Sequence, residues 1–156
     1  MDLSLREIAS AGWPRNDICS VIARSFATKQ SNLLKFLPAL AYAILLFYLS
    51  SGVRTTPAQI NDKILHIMAY GGLGFLVAYG IQGTSNFKAL AIIFIAGLLS
   101  TLYGVGDEIH QYFVPGRFYS YGDMIADAIG SFLGAMAFLI LLQWVKKFNG
   151  RHAISK

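Results

Sequence analysis

The sequence predicts an all-α membrane protein: a four-helix transmembrane bundle with short loops and a polar or amphipathic N-terminal tail. Three observations predict it. The 156 residues are 55% hydrophobic and only 13% charged, well under the roughly 25% charged of soluble domains. Four uncharged apolar runs, Phe36–Val53, Ile64–Ile81, Ala89–Gly106 and Ala128–Val145, follow one another. Each is about 18 residues long, or roughly 27 Å of helix, against a hydrocarbon core of about 30 Å. The runs are apolar around their whole circumference, as lipid-facing helices must be.

The length suits one compact unit, with residues 1–32 as a tail, 33–148 as the membrane domain and 149–156 as a basic C-terminal tail. In the N-terminal tail Trp13–Pro14 breaks any continuous helix. Ile18, Val21, Ile22 and Phe26 then fall at helical spacing beside Arg24 and Lys29. That pattern fits a short helix lying on the lipid surface, and a partly ordered tail fits it equally. A cleaved signal peptide fits poorly, because the tail is long and no small-residue cleavage site follows the first apolar run. Cys19 is the lone cysteine, so it forms no internal disulfide.

The net charge of +5 would suggest nucleic acid on a soluble protein. Here the basic residues flank apolar segments, so topology and anionic lipid explain them and no nucleic-acid partner is expected. Of the 13 Lys and Arg, ten lie in the N-terminal flank (Arg6, Arg15, Arg24, Lys29, Lys35), the C-terminal flank (Lys146, Lys147, Arg151, Lys156) and the second loop (Lys88). Arg54, Lys63 and Arg117 lie in the other two loops. This asymmetry places both termini in the cytoplasm, with the first and third loops facing the periplasm or exterior.

One consequence is a polar cluster at a single membrane border. Asp62, Lys63 and His66 open the second helix; Asp107, Glu108 and Gln111 close the third; Asp123 and Asp127 open the fourth, with Arg117 in the loop between. Asp62, His66 and Tyr70 share one helix face at steps of four. Asp62 suits a helix N-terminus through the dipole, His66 suits a buried polar residue with a local partner, and Tyr70 packs or contributes to a site. Asp62 and His66 also offer two metal ligands, but nothing completes a metal signature, and neither metal nor cofactor is expected. Ser120 and Asp123 match a capping-box pattern, whereas Asp127 lies a full turn deeper than a cap requires.

Asp107 and Glu108 have no such excuse. They lie near a helix C-terminus, where the macrodipole disfavours negative charge. Asp107 is about 28 Å along the helix from Lys88 at 1.5 Å per residue, near the membrane boundary. An unpaired charge deeper in the bilayer costs about 2.5–3.5 kcal/mol on the lenient insertion scale, so these carboxylates require partners. Arg117 and Lys63 are the nearby basic candidates, Arg117 as a bidentate fork turned back by Pro115–Gly116 and Lys63 as a point charge. A structural ion-pair network and a working site both fit this pattern, and no nucleophile elbow, P-loop or metalloprotease motif signals catalysis. Ala126, Gly130 and Gly134, with Gly74 and Ala78, mark small-residue faces for packing within the bundle or in a homo-oligomer.

Asp62–Lys63–x–x–His66–x–x–x–Tyr70, Asp107–Glu108–x–x–Gln111, Pro115–Gly116–Arg117 and Asp123–x–x–x–Asp127–x–x–Gly130–x–x–x–Gly134, in that order, resemble the VanZ-like family. The resemblance runs from about residue 36 to residue 145 and departs at Asp127, where the family pattern commonly has Asn. It implies a small bacterial membrane protein with a four-helix domain, whose namesake is associated with resistance to the glycopeptide antibiotic teicoplanin. The expected function is binding, not catalysis: the cluster would hold an envelope lipid headgroup, a lipid-linked cell-wall component or a lipophilic glycopeptide. The alternative is a hydrolase or transferase acting on such a headgroup, with Asp107, Glu108 or His66 as general base and Arg117 stabilising developing charge.

Overall fold

The computed structural model describes residues 32–52, 60–115 and 120–154. The chain divides into two compact units, residues 1–34 and 35–156. Four helices account for the second: α1 (Leu37–Ser50), α2 (Ile60–Thr84), α3 (Ala89–Tyr112) and α4 (Tyr121–Ile154). All four are long and apolar enough, with their flanks, to cross a membrane, and no strand occurs among the described residues. The segment around Ile18–Phe26, Cys19, Arg54 and Arg117 lie outside the described residues.

Helices α2, α3 and α4 outrun the uncharged stretches that announce them, whereas α1 lies within its stretch, Phe36–Val53. An α-helix satisfies its own backbone, so it continues past the hydrocarbon boundary until a turn stops it. Helix α2 therefore begins before Asp62, α3 runs on through Asp107, Glu108 and Gln111, and α4 takes in Asp123 and Asp127. Helix α1 starts with Pro38 in its first turn, where a missing N–H is harmless. At its other end the Ser51 hydroxyl donates to the Phe47 carbonyl at 2.7 Å, beside the Ser51 backbone N–H at 3.1 Å.

Helices α2 and α4 form the closest pair, α3 packs on both, and α1 lies more lightly against α2 and α3. The α2–α4 seam is made by glycine. A Cβ at Gly134 would collide with the Gly71 carbonyl, one at Gly130 with the Ile67 carbonyl, and one at Gly74 with the Ser131 carbonyl. The small-residue faces thus meet each other inside the bundle. Backbones this close gain dispersion contact along their length, the main attraction available where lipid removes the hydrophobic drive between helices.

Polarity is arranged inside out. Large apolar side chains such as Ile44, Phe94, Leu98, Leu102, Ile129 and Ile140 are exposed, whereas Asp107, Glu108, Gln111 and Asp127 are buried. One half of the interior is apolar, built from Ala78, Ile81, Ile92, Ala96, Ala135, Phe138 and Leu139, with Phe75 edge-on to Phe138 at 5.2 Å. At that end Lys35 Nζ donates to the Gly83 carbonyl, a cation on the last turn of α2 where the dipole favours it. The other half holds the polar residues.

Gly134→Ala is expected to destabilise the protein by about 1–3 kcal/mol through overpacking against immovable backbone. Gly106→Ala, where a Cβ meets nothing within 4 Å, should be neutral. Thermal unfolding of both variants in the same detergent checks this pair.

Candidate functional site

The polar half of the bundle is organised around Asp107. Its Oδ1 accepts from Ser50 Oγ at 2.5 Å, and its Oδ2 accepts from Tyr70 Oη at 3.1 Å and Gln111 Nε2 at 2.8 Å. Helices α1, α2 and α3 therefore converge on one carboxylate that is 7% exposed. Hydrogen bonds to a charged group contribute about 1.5–3 kcal/mol each, so these neutral donors stabilise the carboxylate. Of the two cations expected as partners, Lys63 turns to Asp123, and Arg117 lies outside the described residues. Ser50 escaped the sequence reading, although a hydroxyl closing an otherwise apolar run is a visible signal. Tyr103 reinforces the junction by donating to the Ala43 carbonyl at 2.6 Å.

The start of α4 supplies the second group. Ser120 Oγ accepts from the Asp123 backbone N–H at 3.3 Å, which is the first half of the expected capping box. The second half is replaced: the Ser120 N–H donates to Glu108 Oε2 at 3.2 Å. Asp123 is left to meet Lys63 Nζ at 3.1 Å. The Lys63 side chain is 55% exposed, so this bridge contributes roughly 0–1 kcal/mol and orients more than it stabilises.

His66 and Asp127 form the third group, deepest in the bundle. His66 Nδ1 lies 2.8 Å from Asp127 Oδ1, and the Tyr70 ring stacks parallel to the imidazole at 6.2 Å between centroids. His66 thus finds its partner across the α2–α4 seam and does not depend on Asp62, one turn away on its own helix. Tyr70 is no mere packing residue, since it reaches Asp107 while backing His66.

Not every polar atom here is satisfied. Among the described residues, Glu108 Oε1, Asp127 Oδ2, Ser100 Oγ and Ser131 Oγ are buried without a hydrogen-bond partner. Glu108 and Asp127 are each 1% exposed. A bare buried acceptor costs about 1–3 kcal/mol, and more on a charged group. The ligand atoms of His66, Glu108 and Asp127 lie within 4.8 Å of one another, as do those of Asp62, His66 and Asp123.

Beside Asp107 a cavity of about 280 Å³ lies between α1, α2 and α3. Leu46, Leu49, Leu65 and Ala69 form its apolar wall, and Ser50, His66, Tyr70, Asp107 and Gln111 its polar end. Of the ten residues singled out in the sequence, nine are thus brought to one end of the bundle. The cavity wall was not legible, because only helix packing selects which apolar residues face inward.

Neither the curated proteins nor the solved structures compared with this chain contain a match. Residues 13–142 match the VanZ/LLP1 family. That match takes in all four described helices up to Leu142 and every residue of the polar cluster. The chain is a multi-pass membrane protein and belongs to the VanZ/LLP1 family.

Proposed function

We propose that the chain binds a membrane amphiphile, its headgroup at the Asp107 end of the cavity and its tail along Leu46, Leu49, Leu65 and Ala69. The observation that carries this reading is the cavity's change of character along its length, from aliphatic wall to hydrogen-bonding end. Binding sites pair a largely apolar enclosure with a few convergent polar groups that fix orientation. The polar end presents a carboxylate, an imidazole, a phenol and an amide, which favours a headgroup rich in hydroxyl or amine donors. Lys63 at the start of α2 would supply a cation for a phosphate at the border, joined by Arg117, which the sequence puts between α3 and α4. Envelope lipids and lipid-linked cell-wall components have this form. A lipophilic glycopeptide such as teicoplanin combines sugar and acyl chain in the same way, and binding it would contribute to resistance.

A hydrolase or transferase reading is favoured by one feature. The His66–Asp127 pair beside the bare Glu108 Oε1 would serve as its general base. It requires turnover of a headgroup by purified protein that Glu108→Gln abolishes, and absence of product across candidate lipids removes it.

The basic residues further support an inner-membrane topology with both termini cytoplasmic. In a Cys19→Ser background, a cysteine at the exposed Ser51 should react with an impermeant maleimide in intact cells, and one at the exposed Asn86 only after lysis. The opposite pattern reverses the topology and moves the cluster to the cytoplasmic border.

Leu49→Trp should fill the cavity without disturbing the buried network, since Leu49 is largely exposed. Lipid co-purifying with wild type, measured by native mass spectrometry, is expected to be lost from this variant and reduced in Asp107→Asn and Arg117→Ala. In a knockout strain the same variants should shift teicoplanin susceptibility or the envelope lipid profile at unchanged protein level. Unchanged lipid occupancy in Leu49→Trp rejects the cavity as the binding site.

A further inference from the structure

The amphiphile cavity uses Asp107 and leaves Glu108 and Asp127 unexplained. These two carboxylates approach His66 from α3 and α4, and no lysine or arginine among the described residues bonds to either. Each is 1% exposed and each keeps one oxygen bare. The hydrogen bonds that are present, from the Ser120 N–H to Glu108 and between His66 and Asp127, satisfy only the opposite oxygens. A structural ion pair would be expected to clothe both oxygens of a carboxylate so deeply buried.

We propose that His66, Glu108 and Asp127 form a binding site for one divalent first-row transition-metal ion. Their ligand atoms already lie within 4.8 Å of one another, so small side-chain adjustments bring all three onto a common centre. The 2.8 Å separation of His66 Nδ1 and Asp127 Oδ1 is close to the edge between two ligands that each sit about 2.0–2.2 Å from an ion. A neutral imidazole and two carboxylates would balance the two positive charges of such an ion. The mixed nitrogen and oxygen donors suit zinc or manganese better than calcium or magnesium, which take oxygen ligands. Three protein ligands leave coordination positions for water or for an oxygen of a bound molecule.

The floor of the site keeps space for this. A Cβ at Gly104 would stand 2.9 Å from Asp127 Oδ2 and 3.0 Å from a Tyr70 ring carbon, so only glycine leaves the carboxylate its present position. The neighbouring set of Asp62, His66 and Asp123 is the weaker candidate. Asp123 is already held by Lys63, and none of its members has a bare buried oxygen among the described residues. His66 is shared with the polar end of the cavity, whereas Glu108 and Asp127 do not line it.

The test uses the full chain in detergent, stripped with chelator and dialysed against zinc or manganese, with metal per chain counted by mass spectrometry. Wild type should retain about one ion per chain, as expected for a single site. The near-isosteric Glu108→Gln and Asp127→Asn should lose affinity by more than the roughly 10–100-fold that loss of an outer-shell partner costs. Asp123→Asn should load as wild type does, and equal loss there would overturn the assignment in favour of the neighbouring set. Two wild-type measurements guard against variants that fail to fold: metal should raise the melting temperature reversibly, and cobalt should give visible absorption bands that chelator removes. Wild type without a stoichiometric ion or bands, or loading that survives both carboxamide substitutions, overturns the proposal.

Discussion

The approach of α2 and α4 to backbone contact governs where the polar groups of this protein meet. Gly71 and Gly74 on one helix and Gly130 and Gly134 on the other leave no side chain between the two backbones. In lipid this close fit takes the place of the hydrophobic drive that assembles a soluble bundle. It also draws His66 and Asp127 within hydrogen-bonding distance on either side of the seam. A wider pairing would leave both groups without each other in a low-dielectric interior, where unpaired polar groups are most costly. The seam and the site are therefore one feature.

Above that seam the interior divides by depth. Aliphatic and aromatic side chains fill the half around Ile92, Ala96 and Phe138. Carboxylates fill the other half, and each meets different company. Asp107 is fully clothed by neutral donors from three helices, Asp123 shares a lysine at the border, and Glu108 and Asp127 remain half bare. These carboxylates, alike in charge, are thus set apart by their partners.

Helix α1 stands apart in this scheme. It touches the bundle lightly and is tied to α3 by hydrogen bonds from Ser50 to Asp107 and from Tyr103 to Ala43. The cavity lies where α1 fails to close on α2 and α3, so the loosest contact of the bundle provides the opening and the tightest provides the fixed polar groups. Sites that exchange ligands are drawn from such unevenly packed borders.

The sequence by itself determined the four helices, since four uncharged runs of membrane length admit no other economical structure, and it determined that the charged residues gather at one end. The positions of Asp62, His66, Asp107, Glu108, Asp123 and Asp127 at helix ends followed directly. Pairing did not. Charge counting sought cations for Asp107 and Glu108; among the described residues their partners are a serine, a tyrosine, a glutamine and a backbone N–H, with Arg117 outside them. A capping-box pattern foretold the Ser120–Asp123 bond but not that Glu108 would take the remaining N–H. Spacing along one helix gave His66 a local neighbour in Asp62, while the close approach of two backbones gave it Asp127. Periodicity specifies which residues share a face of their own helix; which face meets which depends on the rotation and separation of whole helices. Those are set by packing, and so only the tertiary structure decided the partners, the cavity and the trio of His66, Glu108 and Asp127.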